Sequence, residues 1–206
     1  MKINPSGYQV QPFFPLVSGK YYTGPHITLS NSSYLVLDDT FVAYPFWLPV
    51  AASFDRMGTR SVVAPTTSGT ARFGVYRDDG TCYPGDLVQD IGDAQEQSLL
   101  GAEGDKLATV SWTLPPDHYW LAFIATFVGG SPSIQGCVAT QMLNLMGLNQ
   151  IDIAATTSLT RDAAIIGSYT WAPGDDLPTP FPTAGMSRSA GTASTALLPL
   201  IVLRAL

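Results

Sequence analysis

The chain has 206 residues and a formal net charge of −6, and only 13% of its residues are charged, about half of the usual share. It contains four Trp, nine Tyr and nine Phe, which excludes an intrinsically disordered chain, because such chains have few aromatic residues and much charge. The acidic balance would repel a phosphate backbone, so no binding to nucleic acid is predicted. The most apolar stretch, residues 196–203, is too short to span a bilayer, and no membrane insertion is predicted.

The first 19 residues predict an extended arm. They contain Pro5, Pro12 and Pro15, which disfavour a helix interior and favour extended backbone. The segment lacks the apolar run of a signal peptide, so synthesis in a cytoplasm is expected. Its aromatic side chains would be costly in water, so we expect the arm to pack on its own domain or on a neighbouring subunit. The aromatic residues of this assembly arm are Tyr8, Phe13 and Phe14.

From Lys20 onward, short runs of β-branched and aromatic residues predict strands. Residues 33–43 contain two such runs around an Asp-Asp pair, and residues 44–50 carry two prolines that suit a sheet edge or a strand end. Residues 71–77 alternate between two faces and end in the turn signal Asp78-Asp79-Gly80. The glycines are expected between strands, where turns require them.

The second half of the chain predicts further strands and one helix. Residues 107–128 predict a hairpin around the connection Pro115-Pro116-Asp117. Its second half, residues 118–128, has apolar side chains on both faces and is expected to form a central strand covered on both sides. Residues 139–148 are the best helix candidate, and residues 196–206 predict a last strand that is buried in its middle.

Many short strands with turn signals between them predict an all-β protein. We therefore expect an antiparallel, jelly-roll-like β-sandwich with an extended N-terminal arm. Residues 1–19 are assigned to the arm, and residues 20–206 to a single sandwich domain.

The sequence singles out no metal site. Its two histidines, His26 and His118, are too few for a three-histidine zinc site, and a structural role is expected for His118. Cys82 and Cys137 have no metal-knuckle spacing and are interpreted as buried free thiols, although one disulfide between them stays open. No metal and no cofactor are predicted.

The sequence also singles out no catalytic group. No GxSxG elbow marks a serine nucleophile. The adjacent aspartates at 38–39, 78–79 and 175–176 fit a pair of catalytic acids poorly, because neighbours in a strand point to opposite faces. The pairs at 78–79 and 175–176 are interpreted as turn residues, and the chain is predicted not to be an enzyme.

The four tryptophans are the remaining candidates for ligand binding, because an indole can stack on a sugar ring. Trp112 and Trp120 lie in the apolar segment 107–128, and core packing is expected for both. Trp171 stands beside a Pro/Gly-rich loop and is the best candidate for an exposed glycan contact, with Trp47 as the other.

Seven short segments, spaced in order over residues 20–206, carry a resemblance to a known family. They are Lys20–Pro25, Tyr44–Val50, Phe54–Gly58, Ala71–Gly80, Pro84–Val88, Leu114–Ala122 and Ile201–Arg204. Together they resemble a β-sandwich domain of virion structural proteins of tailed bacteriophages, of the tail-fibre, minor-tail or capsid-surface type. The resemblance implies a subunit, often trimeric, that assembles and makes surface contacts without catalysis. The sequence departs from the longer tail fibres in having no shaft, collagen-like repeat or coiled coil.

Two functions follow as expectations. The first is a bacteriophage virion structural protein, a tail, baseplate, fibre or head-surface decoration subunit that is made in the host cytoplasm, forms a homotrimer and contacts other virion proteins through its arm. The alternative is a carbohydrate-binding module that engages host-surface glycans through Trp47 or Trp171.

Overall fold

The structure, a computed structural model, describes residues 16–23, 29–99, 103–138, 161–191 and 197–206. These residues form fourteen β-strands and one short 3-10 turn at Asp93–Gln95. The strands build two antiparallel sheets that pack together, so the predicted all-β sandwich is confirmed. The helix expected at 139–148 lies outside the described residues, and the boundary between arm and domain stays a prediction.

The first sheet has seven strands, β1 (Tyr21–Tyr22), β2 (Leu29–Leu35), β4 (Ala52–Val63), β8 (Gly104–Leu114), β10 (Ser133–Val138), β13 (Leu197–Pro199) and β14 (Val202–Ala205). It is organised around one long strand, β4. One edge of β4 pairs with β8, and the other pairs with β14 and with the start of β10. Strand β10 also pairs with β2 and β13, and β1 pairs with β14.

The second sheet has seven strands, β3 (Thr40–Leu48), β5 (Ser68–Asp78), β6 (Pro84–Asp90), β7 (Gln97–Ser98), β9 (Asp117–Val128), β11 (Arg161–Ser168) and β12 (Met186–Gly191). Strand β9 lies at its centre, between β3 and β5. The described strand order is β12-β11-β3-β9-β5-β6, and β7 pairs with β5 as well. Residues 119–125 of β9 are buried on both faces, which confirms the predicted central strand.

The predicted hairpin at 107–128 is wrong. Strand β8 pairs with β4 in the first sheet, whereas β9 pairs with β3 and β5 in the second, so the Pro115-Pro116 connection crosses between sheets. Neither proline has an N–H to donate to a hairpin ladder. The three extended steps from Leu114 to Asp117 cover roughly 10 Å, which matches the roughly 10 Å between packed sheets.

The main core lies between the two sheets and follows the predicted alternation. In β5, Ala71, Phe73 and Val75 point into this core and are fully buried. In β8, the side chains of one face, from Ala108 to Leu114, are buried against the same core, whereas the serine and threonines of the other face are exposed. The period of two along each strand therefore sets which side chains the sandwich buries.

The last strand predicted at 196–206 is divided into β13 and β14. Between them, the buried Tyr44 hydroxyl accepts a hydrogen bond from the Ile201 N–H and donates one to the Ile201 carbonyl, each at 2.8 Å. The preceding Pro199 has no N–H to continue a ladder. The Tyr44 hydroxyl thus provides hydrogen-bond partners for the Ile201 backbone, which lies between the two strands inside an apolar core.

Several glycines lie within strands and not between them as expected. A Cβ on Gly58 of β4 would stand 1.9 Å from the backbone oxygen of Lys106, so the two strands approach more closely than any side chain allows. Gly129 and Gly130 do form a turn between strands, with φ of 76° and 77° in the left-handed region.

An ion pair holds the last strand to β4. Arg204 donates two hydrogen bonds to the Asp55 carboxylate. This bonding, assisted by the charges of Arg204 and Arg56, lowers the pKa of Asp55 below its ordinary value of 3.8. Because the folded-state pKa is the lower one, the stabilisation is complete above the ordinary value and is lost as pH falls through the folded-state pKa.

We therefore expect Asp55→Asn to flatten the decline in the free energy of unfolding that begins as pH falls below about 5. Asp79 contributes a decline of the same sign, because a hydrogen bond from Thr81 lowers its pKa, so part of the slope remains. Urea unfolding of both proteins at a series of pH values measures the difference. Equal slopes would contradict the role given to Asp55.

Candidate functional site

Trp47 is exposed on the outer face of the second sheet, near the end of β3. Its side chain is 53% exposed. It stacks on His118, the residue opposite it in β9, with ring centroids 6.2 Å apart and an interplanar angle of 18°. His118 is exposed too, so it is one half of a surface aromatic pair and not a buried structural histidine. We call this pair the Trp47–His118 platform.

The platform lies between a buried tryptophan and a local sheet edge. The next residue along the same face of β9, Trp120, is 1% exposed, and its indole N–H donates to the Asp78 carboxylate at 2.9 Å. Beyond Ala43, β3 has no described partner on the side of β11, so the platform lies beside a local sheet edge. The two prolines of segment 44–50 therefore lie near a strand end that has a described partner strand on one side only, as the sequence predicts.

The expected exposure of Trp171 is wrong. Its side chain is 4% exposed, and its indole N–H donates to the Asp175 carbonyl at 2.9 Å. It belongs to a second apolar cluster with Leu177, Phe181 and residues of the outer sheet face. The Pro/Gly-rich loop after Trp171 folds back onto the sheet, so the indole is covered by its own loop and offers no surface to a glycan.

Residues 169–185, between β11 and β12, form a strap over the outer face of the second sheet. Phe181 stacks on Phe41 with ring centroids 4.6 Å apart and meets Tyr76 edge-on at 5.0 Å. The Tyr76 hydroxyl donates to the Pro178 carbonyl at 2.8 Å, and the Tyr83 hydroxyl donates to the Pro182 carbonyl at 2.9 Å. The strap thus gives the second sheet an apolar core on each face.

A buried arginine lies beside the strap. Arg72 of β5 is 0% exposed, and its guanidinium donates to Asp90 at 2.8 and 2.9 Å, to Glu96 at 2.8 Å, to Asp176 at 3.1 Å and to Asp93. Burial opposes the charge, but the hydrogen bonds that the guanidinium donates to Asp90, Asp93 and Glu96 raise the pKa of Arg72 above its ordinary range. We call these five residues the Arg72 cluster.

The Arg72 cluster also holds the backbone of the strap. The Glu96 carboxylate accepts a hydrogen bond from the Gly174 N–H at 3.0 Å, and the Asp90 carboxylate accepts one from the Leu177 N–H at 3.1 Å. The acidic side chains are therefore used within the fold. Across the described ranges, no group of three or more His, Cys, Asp or Glu side chains is placed to hold a metal ion.

The aspartate pairs behave mainly as the sequence predicts. Asp78 accepts a hydrogen bond from the Gly80 N–H, and Asp79 accepts one from the Thr81 N–H, which confirms the turn interpretation at 78–79. Asp176 differs, because its carboxylate reaches Arg72 across 104 positions of sequence. Sequence reasoning missed this cluster, and its visible signal was an arginine on the second face of an otherwise apolar strand.

The remaining predicted residues are either exposed or lie outside the described residues. Cys82 is a free cysteine and is exposed, with φ of 59° in the turn before β6, so the expected burial of this thiol is wrong. Cys137 lies in β10, but its side chain is outside the described residues. The arm residues Tyr8, Phe13 and Phe14 also lie outside the described residues.

No family model matches the sequence, and no curated protein matches it. Within the described residues, the chain has no helix with the length and apolar character needed to cross a membrane.

Proposed function

We propose that this protein is a structural subunit of a tailed-bacteriophage virion and that it acts by assembly and surface contact without catalysis. The observation that carries the proposal is the distribution of exposed apolar side chains. Isolated exposed apolar residues are ordinary, but groups of them mark surfaces that contact other molecules.

Both ends of the sandwich carry such a group among the described residues. The first end contains the turns after β2, β4 and β9, and the second contains the turns after β3 and β8 together with the end of β14. Exposed apolar residues at both ends suit a subunit with neighbours on two sides. They are Leu35, Leu37, Val63 and Val128 at the first end, and Val17, Tyr21, Trp47, Val50 and Leu206 at the second.

The segments that carry the resemblance support the same proposal. Segment 44–50 lies mainly in β3, segment 71–80 in β5 and the turn after it, and segment 84–88 in β6. They form the framework of the second sheet and position both the strap and the Trp47–His118 platform. In this proposal, these segments form the scaffold of the domain, and the exposed ends set its contacts with partners.

Two measurements test the proposal. The protein should be present in purified phage particles at a fixed number of copies, detected by mass spectrometry and located on the head or tail by gold-labelled antibodies. Light scattering on the purified protein should give a mass near three times 22.0 kDa if the subunit is a homotrimer. Absence of the chain from particles would contradict the virion assignment, and a monomer at high concentration would contradict the trimer.

A second function is favoured by the Trp47–His118 platform. Exposed, stacked aromatic side chains offer a flat π surface of the kind on which a sugar ring packs. In this alternative, the protein is a carbohydrate-binding module that engages host-surface glycans. Trp47 is the candidate contact, because Trp171 is buried in the strap.

Trp47→Ala is expected to weaken glycan binding about tenfold and to lower the free energy of unfolding by about 0.5–1.5 kcal/mol. The tenfold factor corresponds to loss of about 1.4 kcal/mol of binding free energy, and the loss of stability comes from the stacking contact with His118. A glycan array followed by titration of each hit measures the effect. Val128→Ala, at the opposite end of the sandwich, is the matched control, and equal binding by both variants would exclude the platform as the site.

A further inference from the structure

The end of the sandwich that carries Val50 contains a groove of about 320 Å³ whose side chains are mainly apolar and whose remaining surface is polar. It opens between the start of β4 and the end of β14. Its lining side chains are uncharged, and Ser53 supplies the one side-chain hydroxyl. Val50 and Leu206 remain 43% and 72% exposed, so the groove has space and apolar surface for a further group. The main lining residues are Leu16, Val50, Ala51, Ala52, Ala205 and Leu206.

The walls of this groove are held by backbone hydrogen bonds. The Leu206 N–H donates to the Ser53 carbonyl at 2.9 Å, and the Gly19 N–H donates to the Ala205 carbonyl at 2.8 Å. The Val17 N–H donates to the Tyr22 hydroxyl at 2.7 Å. Leu16 is therefore fixed as part of the wall, and the fifteen residues that precede it in sequence join the domain at the groove.

We propose that the groove is the docking site of the same chain's Phe13-Phe14 pair. Phe14 is two residues before Leu16, so its Cα lies within about 7 Å of the Leu16 Cα in any conformation. Burial of a phenylalanine side chain against the apolar side chains of the groove is favourable, because it removes apolar surface from water. The short tether gives the pair a high effective concentration at its own groove, which favours it over the arm of another copy.

Docking of this pair does not depend on the virion assignment, and it would divide the arm into two parts. The proximal residues Phe13 and Phe14 complete the domain from which they extend. Tyr8 is six positions further from the groove, about 20 Å in extended chain, and is left as the aromatic residue of the arm that can reach a partner.

Photo-crosslinking tests the occupant while an aromatic ring is kept in place. Phe14 is replaced by p-benzoylphenylalanine in the full chain, and the irradiated protein is digested and mapped by mass spectrometry. We expect adducts on residues 50–53 or 205–206 in material of monomer mass. The same replacement at Tyr8 is the matched control and should give at least tenfold fewer groove adducts.

Blocking the groove provides the second measurement. Ala51 is exposed, so Ala51→Arg should leave the fold intact and reduce the groove adducts of the Phe14 probe about tenfold. Groove adducts at dimer mass would assign the groove to the arm of a second copy and overturn the proposal. Adducts elsewhere, or equal adducts with and without Ala51→Arg, would also overturn it.

Discussion

Replacement of Arg72 by methionine should lower the free energy of unfolding by about 3–5 kcal/mol, the range for removal of one partner from a buried ion pair. Methionine keeps much of the length of the side chain but removes the only positive charge of the Arg72 cluster. The largely buried carboxylates of Asp90 and Glu96 would then lack their counter-charge, and both of them also hold the backbone of the strap. Urea unfolding followed by circular dichroism measures the loss.

Arg60→Met is the matched control for this substitution. Arg60 also pairs with an aspartate, Asp105, at 3.0 Å, but both side chains are more than half exposed. A surface pair of this kind contributes about 0–1 kcal/mol. Similar losses for the Arg60 and Arg72 variants would show that burial of the Arg72 side chain does not determine its contribution to stability.

Lysine at position 72 separates charge from geometry. The arginine uses three nitrogens to donate five hydrogen bonds, and its planar fork binds Asp90 in a bidentate manner that an ammonium cannot reproduce. Arg72→Lys is therefore expected to recover only part of the stability lost by Arg72→Met. Full recovery would indicate that charge alone holds the strap.

The alternation of side chains could be predicted from the sequence, whereas the pairing of strands could not. Residues 71–77 and 107–114 show a period of two, and each strand buries the predicted face because that period follows directly from strand geometry. The partner of each strand is not set by that pattern. Segment 107–128 is locally compatible with a hairpin, and its division between two sheets depends on contacts with β4 and β3 that are distant in sequence.

The candidate site was only half predictable for a similar reason. Trp47 was a correct candidate for exposure, because a proline-bounded strand end limits how much of it can be covered. The expectation for Trp171 is wrong, because the Pro and Gly content of the following loop does not show which face the loop covers. The same loop contains Leu177 and Phe181, two large apolar residues that a solvent-facing loop would have no reason to carry.

Close backbone approach also leaves little trace in a single sequence. Gly58 is needed where β4 meets β8, and the clash that any Cβ would make is with the backbone of Lys106, 48 positions away. A glycine inside a strand indicates either a weak strand or a close approach. Only the position of the neighbouring strand distinguishes these two cases.

Phe181→Ala should lower the free energy of unfolding by about 3–5 kcal/mol, the cost of truncating a buried phenylalanine. Phe181 is 2% exposed and contacts the rings of Phe41, Tyr76 and Tyr83, so its removal leaves a cavity between the strap and the sheet. Trp47→Ala is the matched control. It truncates a larger aromatic side chain on the same face of the sheet, but the Trp47 side chain is half exposed. A loss below about 1 kcal/mol for Phe181→Ala would contradict a packed second core.

The double variant Arg72→Met/Phe181→Ala tests whether the two contacts hold the same element. If loss of the Arg72 cluster already detaches the strap, Phe181 no longer packs on the sheet, and its truncation in that background should cost much less than in the wild type. Residues that act through a shared element show coupling of about 0.5–3 kcal/mol in such cycles. Strict additivity would mean that charge and aromatic packing stabilise separate parts of the fold, and the strap would then not be the single unit that covers the second sheet.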